Sequence, residues 1–277
     1  MKKFKVGLQL FSIRDEMEKD MEQALRTVKE IGYDYVEFAG YFGKSAEEVR
    51  ALLDKFQLEC VSVHQDYSVF LENEKENIDY LKTIGAKYCA IPWMGVEKHI
   101  GHGRFELTKE EIIKVGTALR DNGIQMLYHN HDFEFESYEG KFLLDWLYES
   151  IPADILQTEL DTCWVKYAGQ DPAQYLRKYM GRSPIVHLKD FVCKKLNSGA
   201  VYGLIDKEGK ETKTPSKEEN GFEFRPLGCG MQDFAAILEA AEDAGADYVV
   251  VEQDKSTTAS PMESAKISRD YLKSFGL

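Results

Sequence analysis

Eight short apolar runs alternate with amphipathic stretches along this 277-residue chain. That alternation predicts an α/β fold, a (β/α)8 TIM barrel built as one domain over residues 1–277. The runs lie at 5–10, 33–38, 58–64, 88–92, 124–129, 155–161, 184–189 and 247–252. Most are continuously apolar rather than strictly alternating, as strands covered on both faces are. A loose repeat supports the reading: Ile31-Gly32-Tyr33, Ile84-Gly85-Ala86 and Ala244-Gly245-Ala246 each end a helical stretch and open a strand. Glycine there takes the positive φ of a helix C-cap. No linker or break in composition divides the chain, and about eight units suit a closed barrel better than an open sheet.

Taken in order, run 5–10 is the first strand and ends on Gln9, with Ser12 just beyond. Met21, Ala24, Leu25, Val28 and Ile31 then recur at helical spacing and predict an amphipathic helix. Run 33–38 carries Glu37 near its end, run 58–64 ends on His64, and run 88–92 is followed by Trp93. Gly123 opens run 124–129, which leads into Tyr128-His129-Asn130-His131-Asp132-Phe133-Glu134. Run 155–161 ends on Asp161, and run 184–189 contains His187 and Lys189. A long insertion, residues 191–225, rich in Lys, Asn, Gly, Glu and Thr, interrupts the rhythm after the seventh strand. Its length marks a lid or a subunit contact as readily as a solvated loop, and 201–205 reads as a short strand of a hairpin. Phe234, Ile237, Leu238 and Ala241 form the next helix face, run 247–252 ends on Glu252, and Ile267, Tyr271 and Leu272 mark the last helix.

Composition excludes several classes. Hydrophobic residues at 43% and charged residues at 30% are ordinary for a soluble globular protein. The net charge of −13 and the lack of a basic stripe argue against nucleic acid as a partner. No stretch approaches the roughly 20 apolar residues that cross a bilayer. Five scattered cysteines without a C-x-x-C pair indicate neither a disulfide framework nor a zinc knuckle, so a reducing cytoplasm is expected.

The chemistry is expected at the strand ends, which a (β/α) barrel gathers at one mouth. Asp161, His187 and Glu252 end three successive strands. The first two are separated by 26 residues, one βα unit, and the last two by 65, one unit plus the insertion. A carboxylate or imidazole carried to the edge of an apolar layer needs a partner, and one divalent cation could serve all three. Glu134 is the expected fourth ligand, with His131 as the alternative. Mn, Mg or Fe suits such a donor set, and Zn would be accepted. Gln9, Glu37, His64, Trp93, His129 and Lys189 are further groups that the mouth could offer to a substrate. Gly228-x-Gly230, at the start of the seventh helix, could present N–H groups to an anion, or could be an ordinary helix start around Asp233.

Together, Gly7-Leu8-Gln9-Leu10-Phe11-Ser12, Tyr128-His129-Asn130-His131 with Glu134-Phe135, Leu160-Asp161, His187-Leu188-Lys189-Asp190, Pro226-Leu227-Gly228-x-Gly230 and Val251-Glu252-Gln253-Asp254 resemble the sugar phosphate isomerase/epimerase family. That family comprises the xylose isomerase-like TIM barrels of the AP endonuclease family 2 superfamily. The resemblance covers nearly the whole chain. It implies one divalent ion held by Glu, Asp, His and Glu from successive strands, with Asp161, His187 and Glu252 in three of those places. The relatives' first metal-binding Glu lies within the fifth strand, where this sequence has Tyr128 or His129.

The implied reaction is isomerisation or epimerisation of a keto sugar or related polyol, or its phosphate, through an enediolate. Glu252 is the expected base, and Glu134 or His131 returns the proton. A lyase or dehydratase using the same enolate is the alternative, and a non-catalytic sugar-binding barrel with a structural metal is the third. A homodimer joined through 191–225 is the expected assembly if the insertion is a contact.

Overall fold

A computed structural model describes residues 2–197 and 220–277; the expected strand at 201–205 lies outside the described residues. Eight parallel strands close a barrel. They are β1 (Lys5–Gln9), β2 (Tyr35–Phe38), β3 (Glu59–His64), β4 (Tyr88–Ile91), β5 (Gln125–His129), β6 (Leu156–Asp161), β7 (Ile185–Leu188) and β8 (Tyr248–Val251). They follow chain order around the ring, and β8 pairs back onto β1. Each strand matches one predicted run, with its ends trimmed by up to two residues.

Helices cover the outside, including Met21–Ile31, Ala46–Phe56, Phe105–Asp121, Phe234–Ala244 and Pro261–Lys273. The repeat glycines cap as expected: Gly32, Gly85 and Gly245 have φ of 107°, 82° and 86°. Most of the core lies between these helices and the outward strand residues, such as Val36, Met126, Leu160, Val186 and Val249. A second apolar layer, Val61, Ala90, Leu127, Ile185 and Val250, fills the barrel interior. The side-chain period of two then fixes what lies above it. Inward Leu127, Ile185 and Val250 put His129, His187 and Glu252 inward at the mouth. In β6, Asp161 and Glu159 share the inner face.

The described stem of the insertion is packed rather than solvated. Asp190–Val192 pairs antiparallel with Glu223–Arg225. Phe191, Phe222 and Phe224 bury against Trp164 and Tyr167, and Asn220 Nδ2 donates to the Tyr167 hydroxyl at 3.1 Å. No described helix is long and apolar enough to cross a membrane.

Candidate metal centre

The three strand ends meet as expected. Asp161 pairs in register with His187, and the backbone N–H of Glu252 donates to Leu188 O at 3.1 Å. His187 Nδ1 lies 2.8 Å from Glu252 Oε2. His129 supplies the fourth direction, its Nε2 lying 3.5 Å from Asp161 Oδ2 and 4.0 Å from Glu252 Oε2. One ligand atom from each of His129, Asp161, His187 and Glu252 falls within 4.8 Å of all the others, and all four residues are buried. Metal–ligand bonds of about 2.1 Å place neighbouring ligands roughly 3.0–3.4 Å apart, so two carboxylates and two imidazoles at this spacing fit a divalent ion with small adjustments.

Glu134 does not join them. Its two oxygens accept from the Tyr128 hydroxyl and, at 2.7 Å, from the backbone N–H of His131. The physical reason is the turn Phe133–Phe135, which folds this carboxylate over the outward-facing Tyr128 and away from the barrel axis. Burial pushes the Glu134 carboxyl up to about 8. His129, expected among the substrate contacts, takes the ligand position on β5. His131, the expected alternative ligand and proton donor, stacks on Phe133 and Trp164 with ring centroids 5.5 Å and 5.6 Å away. Burial and the Lys189 charge push it down to about 3, so it is neutral.

Lys189 brings an ammonium to the same acids. Its ammonium lies 3.1 Å from Asp161 Oδ2, 2.8 Å from Glu252 Oε2 and 3.0 Å from Asp254 Oδ1. Burial raises the Asp161 carboxyl, opposed by Lys189, and it stands at about 6. For Glu252, burial is outweighed by Lys189 and His187, which hold it well below the usual carboxylate range.

Beneath this layer lies a second set. Gln9 Nε2 donates to Glu37 Oε1 at 2.5 Å. His64 Nε2 stands 3.0 Å from Glu37 Oε1 and 2.6 Å from Glu159 Oε2. His187 Nε2 lies 2.9 Å from Glu37 Oε1, and His129 Nδ1 lies 3.3 Å from Glu159 Oε2. Burial and the Glu37 charge raise the Glu159 carboxyl to about 7. Burial would also raise Glu37, but His64 and His187 hold it well below its ordinary range. Glu159 was not singled out by the strand-end reading, which stopped at the last residue of the run; period-two alternation from Asp161 would have found it. Asp254 follows Glu252 by the same rule.

At the rim Trp93 is 45% exposed, whereas Trp164 is wholly buried under the Phe222 ring. The Gly228-x-Gly230 turn holds an anion of the chain's own: Gly228 N and Gly230 N donate to Asp190 Oδ2 at 3.0 and 2.8 Å, and Gln232 N donates to Asp190 Oδ1 at 3.1 Å. Those N–H groups are therefore already used, and the turn does not offer them to an anion from outside the chain.

The comparisons bear on the fold and the family. Residues 25–275 match the family model described as xylose isomerase-like TIM barrel. The inosose dehydratase of Clostridium perfringens strain 13 is 25% identical over 280 residues, covering 92% of this chain and 90% of that protein. A solved sugar phosphate isomerase/epimerase from Parabacteroides distasonis ATCC 8503 superposes with a TM-score of 0.76 at 19% identity, covering 98% of both chains. The IolI protein, solved with a zinc atom, gives a TM-score of 0.70 at 14% identity over 98% of this chain and 97% of its own. With a closed eight-stranded barrel and a match spanning most of its length, the chain belongs to the xylose isomerase-like TIM barrel family.

Proposed function

We propose that this protein is a metal-dependent lyase that removes water from a keto sugar or keto cyclitol by abstracting the proton α to the carbonyl. The carrying observation is the asymmetry of the mouth. Glu252 is a carboxylate beside a buried ammonium. The β5 position across from it carries His129 rather than a second carboxylate, and Glu134 is engaged elsewhere. Epimerisation needs a base on each face of the substrate carbon, whereas elimination needs one base and a stabilised leaving group. The name of the inosose dehydratase relative supports the same reading.

His129, Asp161, His187 and Glu252 would hold the ion. A bound divalent ion supplies Lewis-acid polarisation of the carbonyl oxygen. Glu252 takes the α-proton; the C–H electron pair becomes the C=C of an enolate, and as the carbonyl re-forms the bond from the β-carbon to its hydroxyl oxygen breaks; the departing hydroxide takes that proton back from Glu252 and leaves as water. Lys189 offsets the negative charge that develops beside Glu252. Isomerisation of a keto sugar through an enediolate is the second reading, with Glu252 carrying the same proton to the neighbouring carbon. A small sugar-like substrate suits the acidic, buried mouth.

Incubation of the metal-loaded protein with an inosose in D2O tests this. The expected product has lost one water by mass, and recovered substrate carries deuterium at the α-carbon. Deuterated substrate or an isomer without loss of water would favour the second reading. No deuterium uptake by inososes or keto sugars would reject both.

A further inference from the structure

We propose that the barrel binds a second divalent cation, deeper than the first, on Glu37, His64 and Glu159. These residues come from β2, β3 and β6 and lie below the Asp161 and Glu252 layer. The His64 Nε2 atom faces two carboxylates at once, 2.6 Å from Glu159 Oε2 and 3.0 Å from Glu37 Oε1. One N–H proton would be split between the two, whereas a cation between one imidazole lone pair and two carboxylates meets both in full. Glu37 Oε2 and Glu159 Oε1 are buried and have no hydrogen-bond partner among the described residues. Buried carboxylate oxygens in that condition are costly unless an ion or a proton meets them. Two carboxylates also balance a divalent charge without help from the rest of the site.

The two positions are distinct because the shared histidines face both ways. His129 turns Nε2 to Asp161 and Nδ1 to Glu159. His187 turns Nδ1 to Glu252 and Nε2 to Glu37 and Glu159. One ligand atom each from His64, His129, Glu159 and His187 lies within 4.8 Å of the others, and Glu37 Oε1 adjoins that group at 3.0 Å from His64 Nε2 and 2.9 Å from His187 Nε2. A neutral imidazole has one lone pair to give, so each shared histidine serves one ion at a time. Glu37, His64 and Glu159 belong to the inner position alone, and Asp161 and Glu252 to the outer alone. Carboxylates with imidazole suit Mn or Fe as well as Zn. The inner position stands whether or not the outer ion assists the proposed dehydration.

Chelated and desalted protein is titrated with MnCl2, and bound manganese per chain is measured by elemental analysis after desalting. Two ions per chain are expected for the wild type. Glu159→Gln and Glu37→Gln should each retain one, and Asp161→Asn should also retain one. Circular dichroism identifies any variant that fails to fold, and the remaining carboxamide variant then decides. Saturation of the wild type at one ion that is kept by both inner variants and lost by Asp161→Asn overturns the inner position and leaves the outer reading intact. Loss of all manganese from folded Glu159→Gln and Glu37→Gln overturns a private inner set. No manganese in any chain overturns both positions.

Discussion

Glu134→Gln separates the metal-ligand role expected from the sequence from the place the fold gives this residue. Its oxygens accept from the Tyr128 hydroxyl and the His131 N–H; in glutamine the Oε1 atom can still accept from the His131 N–H, and the Nε2 amide can donate to the Tyr128 hydroxyl oxygen instead. Burial moves the carboxyl from an ordinary value of 4.5 to about 8. A raised carboxyl pKa means that the folded chain holds the proton more tightly than the unfolded chain. The stability tied to that proton is full below pH 4.5, is lost progressively between pH 4.5 and about 8, and stays lost above. Moving that carboxyl from 4.5 to about 8, at roughly 1.4 kcal/mol per pH unit, sets a ceiling of about 5 kcal/mol. Glutamine cannot ionise, so the variant escapes this loss. Urea unfolding followed by tryptophan fluorescence should show the variant gaining on the wild type from pH 5.5 to 8, by up to about 3 kcal/mol. Bound metal per chain should stay at the wild-type level. Parallel pH profiles for the two proteins, or loss of metal from the variant, would refute the structural role.

Other substitutions probe the remaining parts. Glu252→Gln should slow α-deuterium exchange by roughly 10²–10⁴-fold; exchange at the wild-type rate would exclude Glu252 as the base. Lys189→Met removes an ammonium that competes with a divalent ion for Asp161 and Glu252. Metal affinity, read against a chelating dye, should tighten on the order of tenfold while turnover falls; weaker binding would contradict the competition. Gly230→Ala would put a Cβ 2.2 Å from Asp190 Oδ1 and 2.5 Å from Phe191 O. Unfolding free energy should drop by roughly 1–3 kcal/mol, and an unchanged denaturation midpoint would count against the packing described for that turn.

The barrel was legible because parallel strands covered on both faces leave continuous apolar runs, and because Gly32, Gly85 and Gly245 mark helix ends with a conformation other residues avoid. Asp161, His187 and Glu252 were legible for a related reason: each is the polar exception closing such a run. The β5 end was harder. Four polar residues follow Tyr128 there, and the face they present is fixed only when Leu127 is seen in the interior layer. Glu134 was misplaced because a three-residue turn, invisible to periodicity, folds it back onto Tyr128. Glu159 carried a usable signal, two residues before Asp161 on one face, but a carboxylate inside a run draws less notice than one at its end. The Gly228-x-Gly230 turn could not be read locally, since the anion that fills it comes from Asp190, 38 and 40 residues earlier in the chain.

Crystals of protein purified without chelator and soaked in MnCl2 offer the most direct test, through anomalous scattering at the manganese edge. A peak bonded to Asp161, His187 Nδ1 and Glu252 at about 2.0–2.3 Å is expected, with the Lys189 ammonium drawn toward Asp254. A map without density there, in which Lys189 still bridges Asp161 and Glu252, would contradict a metal-dependent chemistry at this mouth.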